Sequence, residues 1–143
     1  MRDPSGVRLP LEVFVFVRRC DEFLVLHRSP EQGAYWHCVA GALEPGESFV
    51  EAAARELGEE TGLVATPVDL RRSYEYDIED WEAHYRPDAD RVVVKCFLAV
   101  APEGWEPMLD WEHDAYRWYP ADEAAAILYW PEAREVLREL AAQ

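Results

Sequence analysis

Lysine is nearly missing from this chain. Lys95 is the only one in 143 residues, and every other permanently charged cation is an arginine. Against 14 Lys and Arg stand 29 Asp and Glu, a formal net charge of −15. A surface this acidic argues against binding a nucleic-acid polymer, whose backbone needs clustered basic side chains. A small phosphorylated substrate is compatible with it if a metal ion offsets the charge. Cysteine is scarce as well: Cys20, Cys38 and Cys96 are odd in number and form no C-x-x-C pair. That argues against a disulfide framework or a zinc site and for reduced thiols in a reducing compartment. No run approaches the ~18 apolar residues that span a bilayer. The opening MRDPSGVRLP lacks the apolar core of a secretion signal. The expectation is a cytoplasmic protein with no membrane partner.

What is present reads as one domain over residues 1–143, because half the residues are hydrophobic and no repeat, linker or low-complexity segment interrupts them. LEVFVFV (11–17) and EFLVLHR (22–28) are β-rich runs joined by RRCD, the pattern of a hairpin. SPEQGAYWHC (29–38) has turn chemistry and leads into VAGALEPGE, read as a loop from its Gly41, Pro45 and Gly46. Ser48 and Glu51 form a capping-box pair, and Gly62 is a helix stop, so a helix is predicted over 48–61. Its apolar stripe is Val50, Ala53, Ala54 and Leu57. LVATPVDLRRSYEYDIE (63–79) reads as extended with a bend at Pro67, DWEAHYRPDAD (80–90) as a connecting loop, and RVVVKCFLAV (91–100) as a buried strand. AYRWYP (115–120) is a short strand, followed by helices at 121–128 and 131–143, the second with Pro131 in its first turn. Strands on both sides of a central helix, with helices at the end, argue for a layered α/β fold.

The predicted helix 48–61 gathers Glu56, Glu59 and Glu60 within about 100° of arc beside the apolar stripe. Like charges at this spacing repel by a few tenths of a kcal/mol per pair. Either solvent tolerates them as an acidic face, or they surround a cation. Their position at the border of the core, the glycine-containing loop before the helix, and Arg55 among them all weigh toward a cation. Hard divalent ions take several carboxylate oxygens together with backbone carbonyls and water.

Gly41, five residues, Glu47, seven residues, then Arg55-Glu56-Leu57-Gly58-Glu59-Glu60-Thr61-Gly62-Leu63 resembles the Nudix box of the Nudix hydrolases at every fixed position. The resemblance implies a Nudix α/β/α sandwich with a mixed sheet between helices. It implies that Glu56, Glu59 and Glu60 are catalytic metal ligands for Mg²⁺ or Mn²⁺, that Glu47 and Arg55 brace the site through a salt bridge, and that Gly41 allows close backbone approach. The implied reaction is attack of water on phosphorus in a diphosphate linkage.

Outside the box, QGAYWHCVAGALEPGE, AHYRPDADRVVVKCFLAV and EHDAYRWYPADEAAAIL resemble the dihydroneopterin triphosphate (or dATP) pyrophosphohydrolase group. The Glu112-His113-x-x-Tyr116-x-Trp118 segment is also similar to diadenosine tetraphosphate hydrolases, though these usually carry Lys-Gly before the box. By this resemblance Glu112 is a distal acid that completes the metal site or serves as base, while His113 fixes a loop. Arg28, Arg86 and Lys95 are the cations proposed to meet substrate phosphates. Tyr35, Trp36, Tyr74, Tyr76, Trp81 and Tyr85 are candidates for stacking on a base, with core as the default for Trp36. The leading reading is hydrolysis of a nucleoside or pterin triphosphate. The alternatives are a dinucleoside polyphosphate, ADP-ribose or nucleotide-sugar hydrolase and, from a different class, a catalytically weak nucleotide-binding module. A homodimer is left open.

Overall fold

A computed structural model describes residues 8–79 and 90–142. Strand β1 (Leu11–Arg19) and strand β2 (Glu22–Arg28) flank the turn at Cys20. They pair only beside that turn, at Arg18↔Phe23 and Arg19↔Glu22. Beyond it the two strands part. β1 takes strand β4 (Val39–Ala42) on the edge it would have offered to β2. β2 takes the two-residue strand β3 (Trp36–His37) and strand β7 (His113–Pro120). The hairpin expected from sequence is therefore a fork.

On its other edge β1 lies parallel to β6 (Arg91–Val100), and β6 pairs antiparallel with β5 (Val68–Asp77). The sheet is mixed, with seven strands among the described residues. Residues 39–42, read from sequence as loop, are strand β4. Gly41 suggested a turn, but the segment's backbone groups find partners on the open edge of β1, and pairing outweighs local propensity.

β1 alternates its side chains between two cores. Val13, Val15 and Val17 face helix α1 (Phe49–Thr61), joined by Phe97, Ala99, Ala52, Ala53 and Leu57. Phe14 and Phe16 face the opposite layer, where helices α2 (Ala121–Ile127) and α3 (Pro131–Ala141) supply Ala124, Val136 and Leu137, and Leu128 just past α2 joins them. The result is an α/β/α sandwich. Among the described residues no helix is long and apolar enough to cross a membrane.

Helix α1 begins and ends where its local chemistry dictates. Ser48 accepts from the Glu51 amide, Glu51 accepts from the Ser48 amide, and Gly62 closes the helix at φ +81°. Its buried face differs from the predicted stripe. Val50 is 40% exposed, and the buried positions are Ala52, Ala53, Glu56, Leu57, Glu60 and Thr61. Ala53 and Leu57 of the predicted stripe are buried, but the buried face is rotated away from Val50, because two of the inward positions are glutamates.

Candidate active site

The site starts from the contact between β4 and α1. Gly41 pairs with Val13 in the sheet, and a Cβ built on it would run into the Glu56 carboxylate. Only a glycine lets the helix lower Glu56 onto the strand at this point.

Arg55 holds that arrangement. Its Nε donates to Glu47 Oε2 at 2.8 Å and its Nη2 to Glu47 Oε1 at 2.9 Å, a two-pronged pair. Nη2 also donates to the Ala42 carbonyl at 2.9 Å, tying helix to strand. Nη1 reaches Glu56 Oε1 at 2.7 Å and Glu59 Oε2 at 3.3 Å. The hydrogen bonds from Arg55 hold the Glu47 carboxyl below its ordinary range.

The three box acids are not equivalent. Glu56 and Glu60 are buried, whereas the Glu59 side chain is 41% exposed. Burial raises the Glu56 carboxyl, with part of the effect offset by Glu60 and Arg55 beside it. Burial pushes the Glu60 carboxyl well above the ordinary carboxylate range, and Glu56, Glu112 and Asp110 push it the same way. Neither Glu60 oxygen accepts a hydrogen bond among the described residues. Two buried acids crowding each other, one without hydrogen bonds, leave charge that a cation would compensate. Among the described residues no three side chains already converge as a ready metal cage.

The start of β7 delivers the remaining groups. The Ser29 amide donates to the Glu112 carbonyl and the Ser29 hydroxyl to the Trp111 carbonyl, both at 2.8 Å. The Met108 amide donates to the Thr61 carbonyl, which fastens the preceding loop to the end of α1. Glu112 is 5% exposed, so it is not a surface acid. His113, read from sequence as fixing a loop, is wholly buried with Nε2 3.6 Å from Glu60 Oε1 and Nδ1 2.9 Å from Asp110 Oδ1.

Of the predicted cations, Arg28 lies opposite His113 in the β2–β7 ladder, at a bulge in β2. Its guanidinium donates to Gln32 and sits 5.6 Å from the Tyr35 ring centroid. Lys95 shares a row across the sheet with Val13 and Gly41, and its Nζ is 4.5 Å from the ring of Phe49, the first residue of α1, two helical turns before Glu56. With Asp69, Arg71, Arg72 and Ser73 it lines a surface hollow of about 170 Å³. Arg86 falls outside the described residues, as do Trp81 and Tyr85.

The glycine under Glu56, the Arg55 clasp and the two buried glutamates all come from the single stretch 41–63. A family model described as NUDIX domain matches residues 8–140. The chain belongs to the Nudix hydrolase family. Among Nudix relatives, it is 31% identical over 121 residues to a dihydroneopterin triphosphate diphosphatase of Escherichia coli, covering 80% of this chain and 79% of that protein. It is 30% identical over 118 residues to the asymmetrical bis(5'-nucleosyl)-tetraphosphatase of Mus musculus, covering 82% and 77%. A further relative, an octanoyltransferase of Myxococcus xanthus, is 36% identical over 119 residues, but the chain spans only 32% of its length. The solved structure of the E. coli dihydroneopterin triphosphate pyrophosphohydrolase superposes with a TM-score of 0.81 at 27% identity, over 95% of this chain and 97% of that one.

Sequence reasoning passed over Asp110 and, away from the acids, the exposed aromatics Tyr129 and Trp130. Tyr35 lies 4.8 Å from Tyr129 and 6.2 Å from Trp130 between ring centroids, and Tyr129 and Trp130 are 54% and 40% exposed. The backbone bond from the Tyr129 amide to the Trp36 carbonyl brings them together across more than 90 residues. No local pattern announces that contact.

Proposed function

We propose that this Nudix protein hydrolyses a pyrophosphate bond in a nucleoside or pterin triphosphate with the help of a divalent cation. The observation that carries the reading is the pair Glu56 and Glu60: both buried, one turn apart on α1, with Glu56 lowered onto a glycine that makes room for it. The donor set fits Mg²⁺ or Mn²⁺, being hard carboxylate oxygen, with both Glu60 oxygens lacking a hydrogen-bond partner among the described residues. Glu56 and Glu60 would hold the ion, with Glu59 turning in from Arg55. When bound, such an ion neutralises diphosphate charge and lowers the pKa of water.

The chain's own residues then divide the remaining work. Arg28, opposite His113 in the sheet, meets substrate phosphates, and the aromatic group of Tyr35, Tyr129 and Trp130, which begins 5.6 Å from the Arg28 guanidinium at Tyr35, receives a planar base. A water oxygen forms the new bond to phosphorus, the bridging oxygen leaves with its electron pair, and the water proton passes to a site carboxylate, for which Glu112 is the proposed acceptor. This reading gives Lys95 no part. The likeness to the E. coli dihydroneopterin triphosphate enzyme supports a pterin triphosphate. The likeness to the mouse tetraphosphatase supports dinucleoside polyphosphates as the second reading. A cytoplasmic setting suits the exposed, unpaired Cys20.

The test is release of phosphate and pyrophosphate across a panel of nucleoside triphosphates, dihydroneopterin triphosphate and dinucleoside polyphosphates. It is run with Mg²⁺, with Mn²⁺ and with excess EDTA. Turnover that survives EDTA would overturn the metal reading. Binding of these compounds without any turnover would make the chain a nucleotide-binding module.

A further inference from the structure

Two buried acids of the site each face one basic side chain, and each base is anchored by a second acid. On Glu56 the chain of contacts is Glu47–Arg55–Glu56, all from the box. On Glu60 it is Asp110–His113–Glu60, with 2.9 Å and 3.6 Å between the facing atoms. The second chain joins the end of α1 to the start of β7 and draws on no box residue except Glu60.

Several observations set His113 apart from a histidine that only fills the core. Its side chain is fully buried, and its Nε2 has no hydrogen-bond partner among the described residues although it points at Glu60. The Glu60 oxygens likewise have none. Asp110 Oδ1 lies within hydrogen-bond distance of Nδ1, which fixes the plane of the ring and leaves Nε2 as the ring nitrogen that faces Glu60. The 3.6 Å separation is too long for a hydrogen bond and short enough that a small rotation of Glu60 makes one.

We infer that Asp110 and His113 are positioning residues for Glu60. Asp110 sets the plane of the imidazole, and the imidazole engages Glu60 Oε1, leaving Oε2 directed to a cation. The inference rests on the reading of Glu60 as a cation ligand. Outer partners of this kind orient ligating groups, and their loss typically weakens metal binding about 10–100-fold.

The test is titration of the full-length protein with Mn²⁺ alone, following the free ion by electron paramagnetic resonance, with no substrate present. His113→Asn keeps an amide near the Nδ1 position and removes the group facing Glu60. His113→Gln places an amide near Nε2 that can still donate to Glu60. The expected result is Mn²⁺ affinity at least about tenfold weaker for His113→Asn, and a substantial part of that loss restored in His113→Gln. Asp110→Asn should fall between native and His113→Asn. Equal affinity for native and His113→Asn overturns the inference. So does equal weakening of both His113 variants, since a role limited to filling space would not discriminate between them. If His113→Asn does not fold, Asp110→Asn carries the test, and native affinity in that variant overturns the inference. Glu60→Gln is the control for the underlying reading. If it binds Mn²⁺ like the native chain, Glu60 is no ligand and both statements fall. If it loses binding while His113→Asn does not, only the positioning role falls.

Discussion

Gly41 and Glu56 occupy neighbouring volumes so tightly that one excludes a side chain on the other. The carboxylate of Glu56 fills the space where a Cβ on Gly41 would stand, and Arg55 pins that carboxylate from the far side at 2.7 Å.

Gly41→Ala should therefore displace Glu56 while leaving β4 paired to β1, since residue 41 is in an ordinary strand without positive φ. We expect kcat to fall by about tenfold or more, because a misplaced group at a reacting centre is costly even over ~1 Å. Far-ultraviolet circular dichroism should stay native. A variant with native kcat would show that the Glu56 carboxylate can move aside freely.

Glu60→Gln should separate stability from chemistry. The Glu60 carboxyl is raised in the folded chain by burial first and by neighbouring acids second. Between its unfolded and folded pKa the native state holds the extra proton, so in EDTA stability falls as pH rises from about 4.5 through the folded value. The amide carries no charge at any pH. The variant should be more stable than native at about pH 7 in EDTA, with a flatter decline, yet its kcat should drop ~10²-fold or more. Melting curves in EDTA across that range, set beside one rate measurement, check both halves.

His37 supplies a trend of opposite sign. Burial, with smaller contributions from Arg28 and His113, lowers its pKa to about 3. The unfolded chain binds a proton near the usual ~6.5 and the folded chain does not, so stability is full above that value and is lost as pH falls toward 3. Each tenfold loss of proton affinity on folding corresponds to about 1.4 kcal/mol. His37→Leu should flatten the acid limb of the stability curve below about pH 6.5 in EDTA. An unchanged acid limb would assign the loss to other groups.

Glu112 is buried at the head of β7, within electrostatic reach of Glu60. If it takes the water proton, Glu112→Gln should lower kcat far more than it raises KM, since the lost interaction belongs to the transition state. Steady-state kinetics at saturating Mg²⁺ decide this. A kcat within about twofold of native would remove Glu112 from the chemistry and leave the box acids to supply the base.

Where the structure follows sequence most closely, the interactions are short in sequence. The capping box joins Ser48 to Glu51, the Gly62 stop lies next to Thr61, and Arg55 reaches Glu47 only eight residues away. The helix α1 and the strands read at 11–17, 22–28 and 91–100 were therefore legible from local pattern, while the Glu47–Arg55 brace was implied by the resemblance to the Nudix box. The site escaped where burial and distant partners decide. Glu56, Glu59 and Glu60 look alike in sequence, yet docking of α1 on the sheet buries two and leaves Glu59 exposed on Arg55.

The sequence by itself determined the box, its helix and the acids gathered on it, because caps and side chains three or four residues apart meet in a helix wherever it packs. Tertiary structure alone decided the fork between β1 and β2, the strand at Val39–Ala42, and the pairing of His113 with Glu60 across more than 50 residues. Those features depend on which sheet edges remain open and which side chains are forced into shared volume. Both are settled only when distant segments pack.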